Sequence, residues 1–131
     1  MKRKLYYGFL LVLLTIGYIN LNAQTAVVKN VIASEFKKIV EKGNGTLVDV
    51  RTPAEFNMGH IKGAVLINFY DTNFKSDFNA LNKNKPVYIY CRSGNRSSKA
   101  VGILKDIGFK EIVNLQYGII DWQRNGFSLT Q

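Results

Sequence analysis

The sequence predicts an α/β fold, with a central parallel sheet and helices on both faces. Short β-branched or apolar runs, such as residues 46–50 (TLVDV) and 87–90 (VYIY), alternate along the chain with amphipathic helical patterns, as in parallel sheets covered by helices. The chain has 131 residues, of which 47% are hydrophobic, and this suits one compact domain rather than two. Ligands of such sheets bind beyond the carboxyl ends of the strands, so the residues that follow each strand are the candidates for a functional site.

The first 23 residues have the order of a secretory signal peptide. Three basic residues at positions 2–4 precede the uncharged residues 5–23, and the hydrophobic part of that stretch covers residues 6–19. We expect cleavage after Ala23, which leaves a single domain over residues 24–131 and places it in the periplasm or outside the cell. The alternative is an uncleaved membrane anchor, because residues 5–21 approach the shortest length of a spanning helix.

Charge and composition exclude several classes of protein. The formal net charge of +9 includes three charges from the leader, so +6 remains on the rest of the chain. The lysines of that part are scattered, which indicates a solvated surface and no nucleic-acid partner. The single cysteine excludes an intramolecular disulfide, a CxxC pair and a cysteine-based zinc cluster. With only one histidine as well, no metal or other cofactor is indicated.

The first half of the domain contains two predicted helices around a strand. Ser34 is expected to cap an amphipathic helix that ends at Gly43, and residues 46–50 have the composition of a buried strand. The four residues 52–55 (TPAE) match a capping box with proline at the first helical position, which predicts a short helix that ends at Gly59.

The second half continues the alternation, and its polar loop is the most informative segment. The apolar spacing of Phe74, Phe78 and Leu81 predicts a helix whose aromatic side chains lie in the core. The elements that follow are a strand at residues 87–90, a polar loop at 91–96 (CRSGNR), a helix at 97–107, a strand at 112–115, and a last helix containing Ile119 and Trp122.

Cys91 is the candidate nucleophile, because it stands where a strand ends and a helix is about to begin. A thiol reacts as its thiolate, and lowering a pKa by two units requires about 2.7 kcal/mol. A helix N-terminus supplies about 0.3–1 kcal/mol, so further donors are needed. Gly94 allows the loop to curl its amides toward one point, and Arg92 and Arg96 add positive charge. The alternative is an inert, buried cysteine. Polar and cationic neighbours disfavour this alternative, because they are typical of reactive cysteines.

Three segments of the chain resemble the rhodanese family of sulfurtransferases. They are residues 49–64 (DVRTPAEFNMGHIKGA), 91–97 (CRSGNRS) and 118–127 (GIIDWQRNGF). The resemblance implies that Cys91 takes a sulfur atom from a small anionic donor such as thiosulfate and passes it, as a persulfide, to cyanide, a thiol or a protein acceptor. It also implies that the persulfide is held by the backbone amides of the loop residues Arg92, Ser93, Gly94, Asn95, Arg96 and Ser97.

The resemblance carries expectations for charged residues near the loop. Arg92 is expected to meet the departing sulfite, and Arg96 either does the same or braces the loop against a carboxylate. Arg51 and Glu55 are interpreted as a structural ion pair. His60 is expected to pack or form hydrogen bonds rather than act as a base, since a preformed thiolate removes the need for one.

One departure from the family pattern is Tyr117, which stands where the last segment usually has a first glycine. A positive φ at this position would strain a tyrosine; otherwise the ring would narrow the mouth of the site and affect the acceptor.

Three other functions remain as alternatives. A cysteine phosphatase or arsenate reductase has five residues between its cysteine and arginine, whereas four separate Cys91 from Arg96. The second alternative is a non-enzymatic persulfide carrier or binding module. A thiol–disulfide oxidoreductase is the least favoured, because no second cysteine is present to resolve a mixed disulfide.

Overall fold

Five parallel strands form the one sheet in residues 25–131, which are the part of the chain that the computed structural model describes. The predicted signal peptide and its cleavage site lie outside these residues. No helix within residues 25–131 has both the length and the apolar character needed to span a membrane. In chain order the elements are β1 (Val27–Val31), α1 (Ala33–Glu41), β2 (Thr46–Asp49), α2 (Pro53–Met58), β3 (Val65–Leu66), α3 (Phe74–Asn79), β4 (Val87–Tyr90), α4 (Asn95–Asp106), β5 (Glu111–Leu115) and α5 (Gly118–Arg124).

The strands are arranged in the order β1-β5-β4-β2-β3, which puts β4 in the middle. Ile89 of β4 lies opposite Val48 of β2 on one side and Asn114 of β5 on the other. Because all neighbours are parallel, their carboxyl ends lie along one edge. Cys91 directly follows the central strand at that edge.

Each face of the sheet is covered by helices, as the sequence predicts. On one face the buried side chains include Phe36 of α1 and Trp122 of α5. On the other face Phe78 of α3 and Leu104 of α4 pack against alternate residues of the strands. The α/β prediction, with a parallel sheet between two helical layers, is therefore confirmed.

The structure adds an edge strand, β1, that the sequence pattern does not indicate. Only Val31 of its five residues is buried, so the strand lacks a continuous apolar run. Its position comes from parallel pairing with β5, from Val27 opposite Glu111 to Val31 opposite Leu115.

Two predicted helix starts are each two residues too late. Ser34 does not cap α1, because the helix already begins at Ala33 and the Ala33 amide donates to the Asp121 carboxylate at 2.8 Å. Helix α4 begins at Asn95 rather than Ser97, after Gly94 in a left-handed conformation. By contrast, the capping box of α2 is present as predicted, with Thr52 and Glu55 each binding the other's amide.

Candidate active site

The loop between β4 and α4 is short and closes directly on the thiol of Cys91. Gly94 has φ of +103° and precedes the first residue of α4, so the amides of the turn face inward. The Gly94 amide donates to Cys91 Sγ at 3.1 Å, and the Ser97 hydroxyl lies 3.4 Å from the same sulfur. The geometry therefore surrounds the sulfur with hydrogen-bond donors from both the turn and the first helical turn.

Cys91 is almost fully buried, with 1% of its surface exposed. Its neighbours are mixed, because the residue belongs to an apolar cluster that includes Ile89 and Ala100, while its sulfur meets the polar loop. The predicted polar environment is present at the Sγ atom, which contacts the Gly94 amide and the Ser97 hydroxyl. The rest of the side chain packs in the apolar cluster.

Opposing effects act on the pKa of the Cys91 thiol, and the lowering effects prevail. Desolvation by burial raises this pKa, while the Ser97 hydroxyl and the backbone amides of Ser97, Gly94 and Ser93 lower it by hydrogen bonding to sulfur. The start of α4 also presents the positive end of a helix dipole to the loop. The thiolate is therefore more stable than in an ordinary cysteine, and a thiolate is the nucleophilic form of cysteine.

Arg96 braces the loop against a carboxylate, which was one of its two predicted roles. Its guanidinium donates two hydrogen bonds of 2.8 Å to Glu55 and lies 5.8 Å from the Tyr70 ring. Hydrogen bonding from Arg96 is the main reason that the pKa of Glu55 falls to about 2. The pair is partly buried and connects α2 to the first turn of α4.

The predicted pairing of Arg51 with Glu55 is wrong. Arg51 is buried and binds Asp49 at 2.7 Å, and it also donates to the Gly59 carbonyl at 2.7 Å. Asp49 is the last residue of β2 and also accepts the Arg51 amide at 2.9 Å, so the two residues pair within one turn. Glu55 remains available for Arg96, a partner 41 positions away that local spacing does not indicate.

Arg92 differs from Arg96 because no carboxylate of residues 25–131 neutralises it. Its side chain is exposed and has no salt-bridge partner among residues 25–131. It lines a cleft that lies between α2 and α5.

Two glycines fit the loop against the turn that follows β5. A Cβ atom at Gly94 would overlap the Gln116 carbonyl, and one at Gly118 would overlap the Arg92 carbonyl. Gly118 has φ of +67°, whereas Tyr117 has φ of −109°, so the tyrosine is not strained. Tyr117 is 54% exposed and is not part of the cleft lined by Arg92.

His60 packs as expected. Its ring stacks on Phe56 with centroids 3.7 Å apart, and Nδ1 lies 3.1 Å from the Phe56 carbonyl oxygen. Within residues 25–131, no three side chains of His, Cys, Asp or Glu form a group that could hold a metal ion.

The sequence predicts the backbone amide of Ser97 as a donor to the sulfur but does not indicate the role of its hydroxyl. In the structure this hydroxyl lies within hydrogen-bond distance of Cys91 Sγ. The available signal was its position in the first turn of the helix after Cys91, with a side chain that can point back into the loop.

Comparison with known proteins connects this geometry to a family. Residues 32–125 match the family model described as "Rhodanese-like domain". The chain is 34% identical over 93 residues to a protein of Allochromatium vinosum named "Sulfurtransferase", covering 71% of this chain and 85% of that protein. It is 37% identical over 99 residues to "Uncharacterized protein YqhL" of Bacillus subtilis, covering 76% of this chain and 75% of that protein.

The fold comparison agrees with the sequence comparison. A crystal structure of a rhodanese-like domain protein from Staphylococcus aureus superposes with a TM-score of 0.66 at 35% identity, covering 79% of this chain and 99% of that one. With sequence model, relatives and fold in agreement, the chain belongs to the rhodanese-like domain family.

Proposed function

We propose that this protein is a thiosulfate sulfurtransferase that carries sulfur as a persulfide on Cys91. The supporting observation is the arrangement around Sγ, where the Gly94 amide at 3.1 Å and the Ser97 hydroxyl at 3.4 Å favour an anionic sulfur. Membership of a family with relatives named as sulfurtransferases supports the same class of reaction.

The donor reaction uses the Cys91 thiolate as a nucleophile. The thiolate attacks the outer sulfur of thiosulfate, a bond forms between the two sulfurs, and the bond to the sulfite group breaks. Sulfite leaves with the bonding electron pair, and the outer sulfur remains on Cys91 as a persulfide anion. No proton transfer is needed when the thiol is already ionised. The loop amides stabilise the anion by the same kind of preorganised donors that form an oxyanion hole.

Arg92 is the residue we assign to the donor and its departing sulfite. It is exposed beside the loop, and no carboxylate of residues 25–131 neutralises it. Arg96 is committed to Glu55 through two 2.8 Å hydrogen bonds. This ion pair also disfavours a phosphatase activity, because a phosphatase needs a loop arginine that is directed at the bound oxyanion.

The remaining assignments of the proposal concern the whole chain. We propose a single domain over residues 24–131, exported by cleavage of the leader after Ala23, which acts with cyanide, a thiol or a protein as sulfur acceptor. A persulfide carrier is the second candidate, since it needs the same thiolate and differs only in its acceptor.

Incubation with thiosulfate followed by mass measurement tests the donor reaction. The peptide that contains Cys91 is expected to gain the mass of one sulfur atom, with release of one equivalent of sulfite. Cys91→Ser is expected to abolish both signals, and Lys105→Gln, at the far end of α4, should leave them unchanged. An unmodified Cys91 peptide would reject thiosulfate as the donor, and sulfite release by Cys91→Ser would reject the nucleophile.

A further inference from the structure

The edge of the sheet opposite Cys91 brings together lysines that are scattered along the sequence. Lys85 stands two residues before β4, and Lys110 directly precedes β5. Lys42 follows α1, which leads back to this edge and to the start of β2. Lys83 belongs to the same group, because its carbonyl accepts the Lys110 amide at 3.3 Å. We call Lys42, Lys83, Lys85 and Lys110 the amino-edge lysines, after the amino ends of the strands beside them.

The charges of the amino-edge lysines have no partner within residues 25–131. None of the four lysines forms a salt bridge there, and all except the half-buried Lys83 are exposed. Three pairs of opposite charge on the neighbouring elements cancel in sum: Lys29 with Glu111, Lys37 with Glu41, and Lys105 beside Asp106 in the last turn of α4. The edge therefore presents a cluster of uncompensated positive charge.

The chain also enters the domain at this edge. Strand β1 is parallel to its neighbour, so its first residue, Val27, lies at the amino edge, and the Val27 amide donates to the Lys110 carbonyl at 2.8 Å. Residues 5–23 of the sequence are uncharged and predominantly apolar. Three residues separate this stretch from Val27, and a chain of that length spans no more than about 14 Å. The hydrophobic leader is therefore joined to the domain beside the amino-edge lysines.

A bilayer that contains anionic phospholipid matches both features of this edge. Its phosphate groups present a plane of negative charge, which attracts lysines that lie within a Debye length of the surface. Its interior accepts the apolar leader. Nucleic acid supplies only the negative charge, so charge and chain entry together favour a lipid surface as the partner.

We propose that the amino edge of the sheet docks on the surface of an anionic lipid bilayer, with Cys91 directed away from it. Lys85 and Cys91 are six residues apart across β4, which corresponds to about 20 Å of strand. This orientation leaves the thiol loop open to molecules in solution. The proposal depends on charge and chain direction and is independent of the sulfur donor. It applies whether the leader is retained or removed, because the lysines belong to the domain itself.

Each lysine adds a modest factor to the strength of docking. A lysine close to an anionic surface strengthens binding about fivefold, so four lysines together give roughly 600-fold. Such docking is reversible, and it weakens as salt screens the charges. Loss of two lysines should therefore be enough to release the edge from the surface.

Labelling of lysines in the presence of vesicles tests the proposal for either fate of the leader. The full chain is expressed with its leader, and the form that the host produces is incubated with phosphatidylcholine vesicles, with or without phosphatidylglycerol. Acetylation by a soluble reagent is then measured at each lysine by mass spectrometry. At low salt we expect phosphatidylglycerol to slow the acetylation of Lys85 and Lys110 about fivefold.

The internal control is Lys99, an exposed residue in the half of α4 that is nearer to Cys91. Its acetylation should be the same with both kinds of vesicle. Equal acetylation of Lys85 and Lys110 with and without phosphatidylglycerol, or an equal slowing at Lys99, would overturn the proposal.

Two double variants with the same change in charge locate the effect. Lys85→Gln/Lys110→Gln should weaken docking about 25-fold, so the other two amino-edge lysines should lose their protection. Lys75→Gln/Lys99→Gln removes the same charge from the first halves of α3 and α4, toward the carboxyl edge, and should preserve that protection. All four substituted lysines are exposed, so both variants are expected to fold. Protection that persists in the first variant, or is lost equally in both, would reject the amino edge as the docking surface.

Nucleic acid is the competing polyanion, and the same labelling separates it from lipid. An oligonucleotide duplex at the same phosphate concentration should protect the amino-edge lysines less than the anionic vesicles do. Stronger protection by the duplex would reject lipid as the partner. Because the readout does not involve Cys91, failure of this proposal leaves the sulfurtransferase proposal standing, and the reverse is also true.

Discussion

Ser97 is the residue that connects helix geometry to the chemistry of the thiol. It is fully buried, and its hydroxyl lies 3.4 Å from Cys91 Sγ and 3.3 Å from the Gly94 carbonyl oxygen. Because the hydroxyl has one hydrogen, it can donate to the sulfur or to the carbonyl at any one time. An anionic sulfur attracts that hydrogen more strongly than a neutral carbonyl does.

Removal of this hydroxyl is expected to raise the pKa of Cys91. In Ser97→Ala, burial still disfavours the thiolate and one compensating hydrogen bond is gone. Persulfide formation near neutral pH should slow about tenfold, because a hydrogen bond to a charged group is worth at least about 1.4 kcal/mol. The pH dependence of the rate and the ultraviolet absorbance of the thiolate measure the change.

Ser98→Ala is the matched control, because its hydroxyl lies near the Asn114 amide at 3.4 Å and not near the sulfur. It should leave the pH profile of persulfide formation in place. A profile that is equally unchanged in Ser97→Ala would remove Ser97 from the list of groups that tune the thiol.

The site could be predicted from the sequence at some residues and not at others. Cys91, Gly94 and the helix that follows are close in sequence, so the sequence alone predicts that the loop and the helix start lie beside the thiol. The partner of Arg51 is set by the turn that follows β2, and the partner of Arg96 is set by the tertiary approach of α2 to α4. Arg51 finds Asp49 at a separation of two residues and Arg96 finds Glu55 at a separation of 41, and no periodicity distinguishes these pairings in advance.

At the scale of elements, one carboxylate joins two helices. Glu55 accepts from the Thr52 amide at 3.1 Å at the start of α2 and from Arg96 at 2.8 Å in the first turn of α4. The capping box was readable from the sequence because it involves positions three residues apart. Its second role was not, because α4 lies on the other side of β3, α3 and β4 along the chain.

Glu55→Gln is expected to reduce stability in a pH-dependent manner. The pKa of Glu55 is lowered from 4.5 to about 2 in the folded protein, chiefly by Arg96. A lowered carboxylate pKa contributes stability that is present above the ordinary pKa and disappears as the pH falls through the lowered one. The difference in unfolding free energy between wild type and variant should therefore be greatest near neutral pH and shrink between pH 4.5 and about 2.

Urea unfolding across this pH range measures the effect, with Glu35→Gln as the control. Glu35 lies exposed in the first turn of α1 and has no salt bridge within the described chain, so its substitution should change stability less. A Glu55→Gln difference that does not decline toward acid pH would contradict the assignment of the effect to the ion pair.

Prediction of the elements themselves succeeded where the pattern is local and apolar. Strand β4 is apolar and buried at all four positions, and β2 has the buried apolar pair Leu47 and Val48 at its centre, so both strands are recognisable from the sequence. Strand β1 was missed because it lies at the edge, with only Val31 buried. The start of α1 was displaced because its first amide is satisfied by Asp121, a residue 88 positions away.

At the scale of the whole molecule, the two faces of the sheet have separate cores. The face covered by α3 and α4 contains a chain of aromatic rings, in which Phe78 lies 4.8 Å from Phe74 and 6.0 Å from Phe109 between centroids. Cys91 belongs to the same core at its carboxyl edge. The alternation of residues along β4 assigns Cys91 to this face and Tyr90 to the other.

Phe78→Ala is expected to lower stability without changing the chemistry of the site. The side chain is fully buried, and truncation of a buried phenylalanine costs about 3–5 kcal/mol, a large fraction of the total stability of a domain. Persulfide formation per folded molecule should equal that of wild type. Urea unfolding monitored by the single tryptophan, Trp122, measures the loss.

Phe69→Ala, a partly buried neighbour of the same core, should cost less and serves as the comparison. If Phe78→Ala slowed persulfide formation in fully folded protein, the shared core would have to influence the geometry of the Cys91 loop, contrary to this prediction.

The fit between Gly94 and Gln116, and between Gly118 and Arg92, has a consequence for protein engineering. If the loop that contains Cys91 were transplanted into a relative, the turn that follows β5 would have to be transplanted with it. The glycine of each segment leaves the space that the backbone of the other segment occupies. The smallest unit that can be exchanged between relatives is therefore discontinuous in sequence, and chimeras with a crossover between these two segments should fold poorly unless both parents share the glycines.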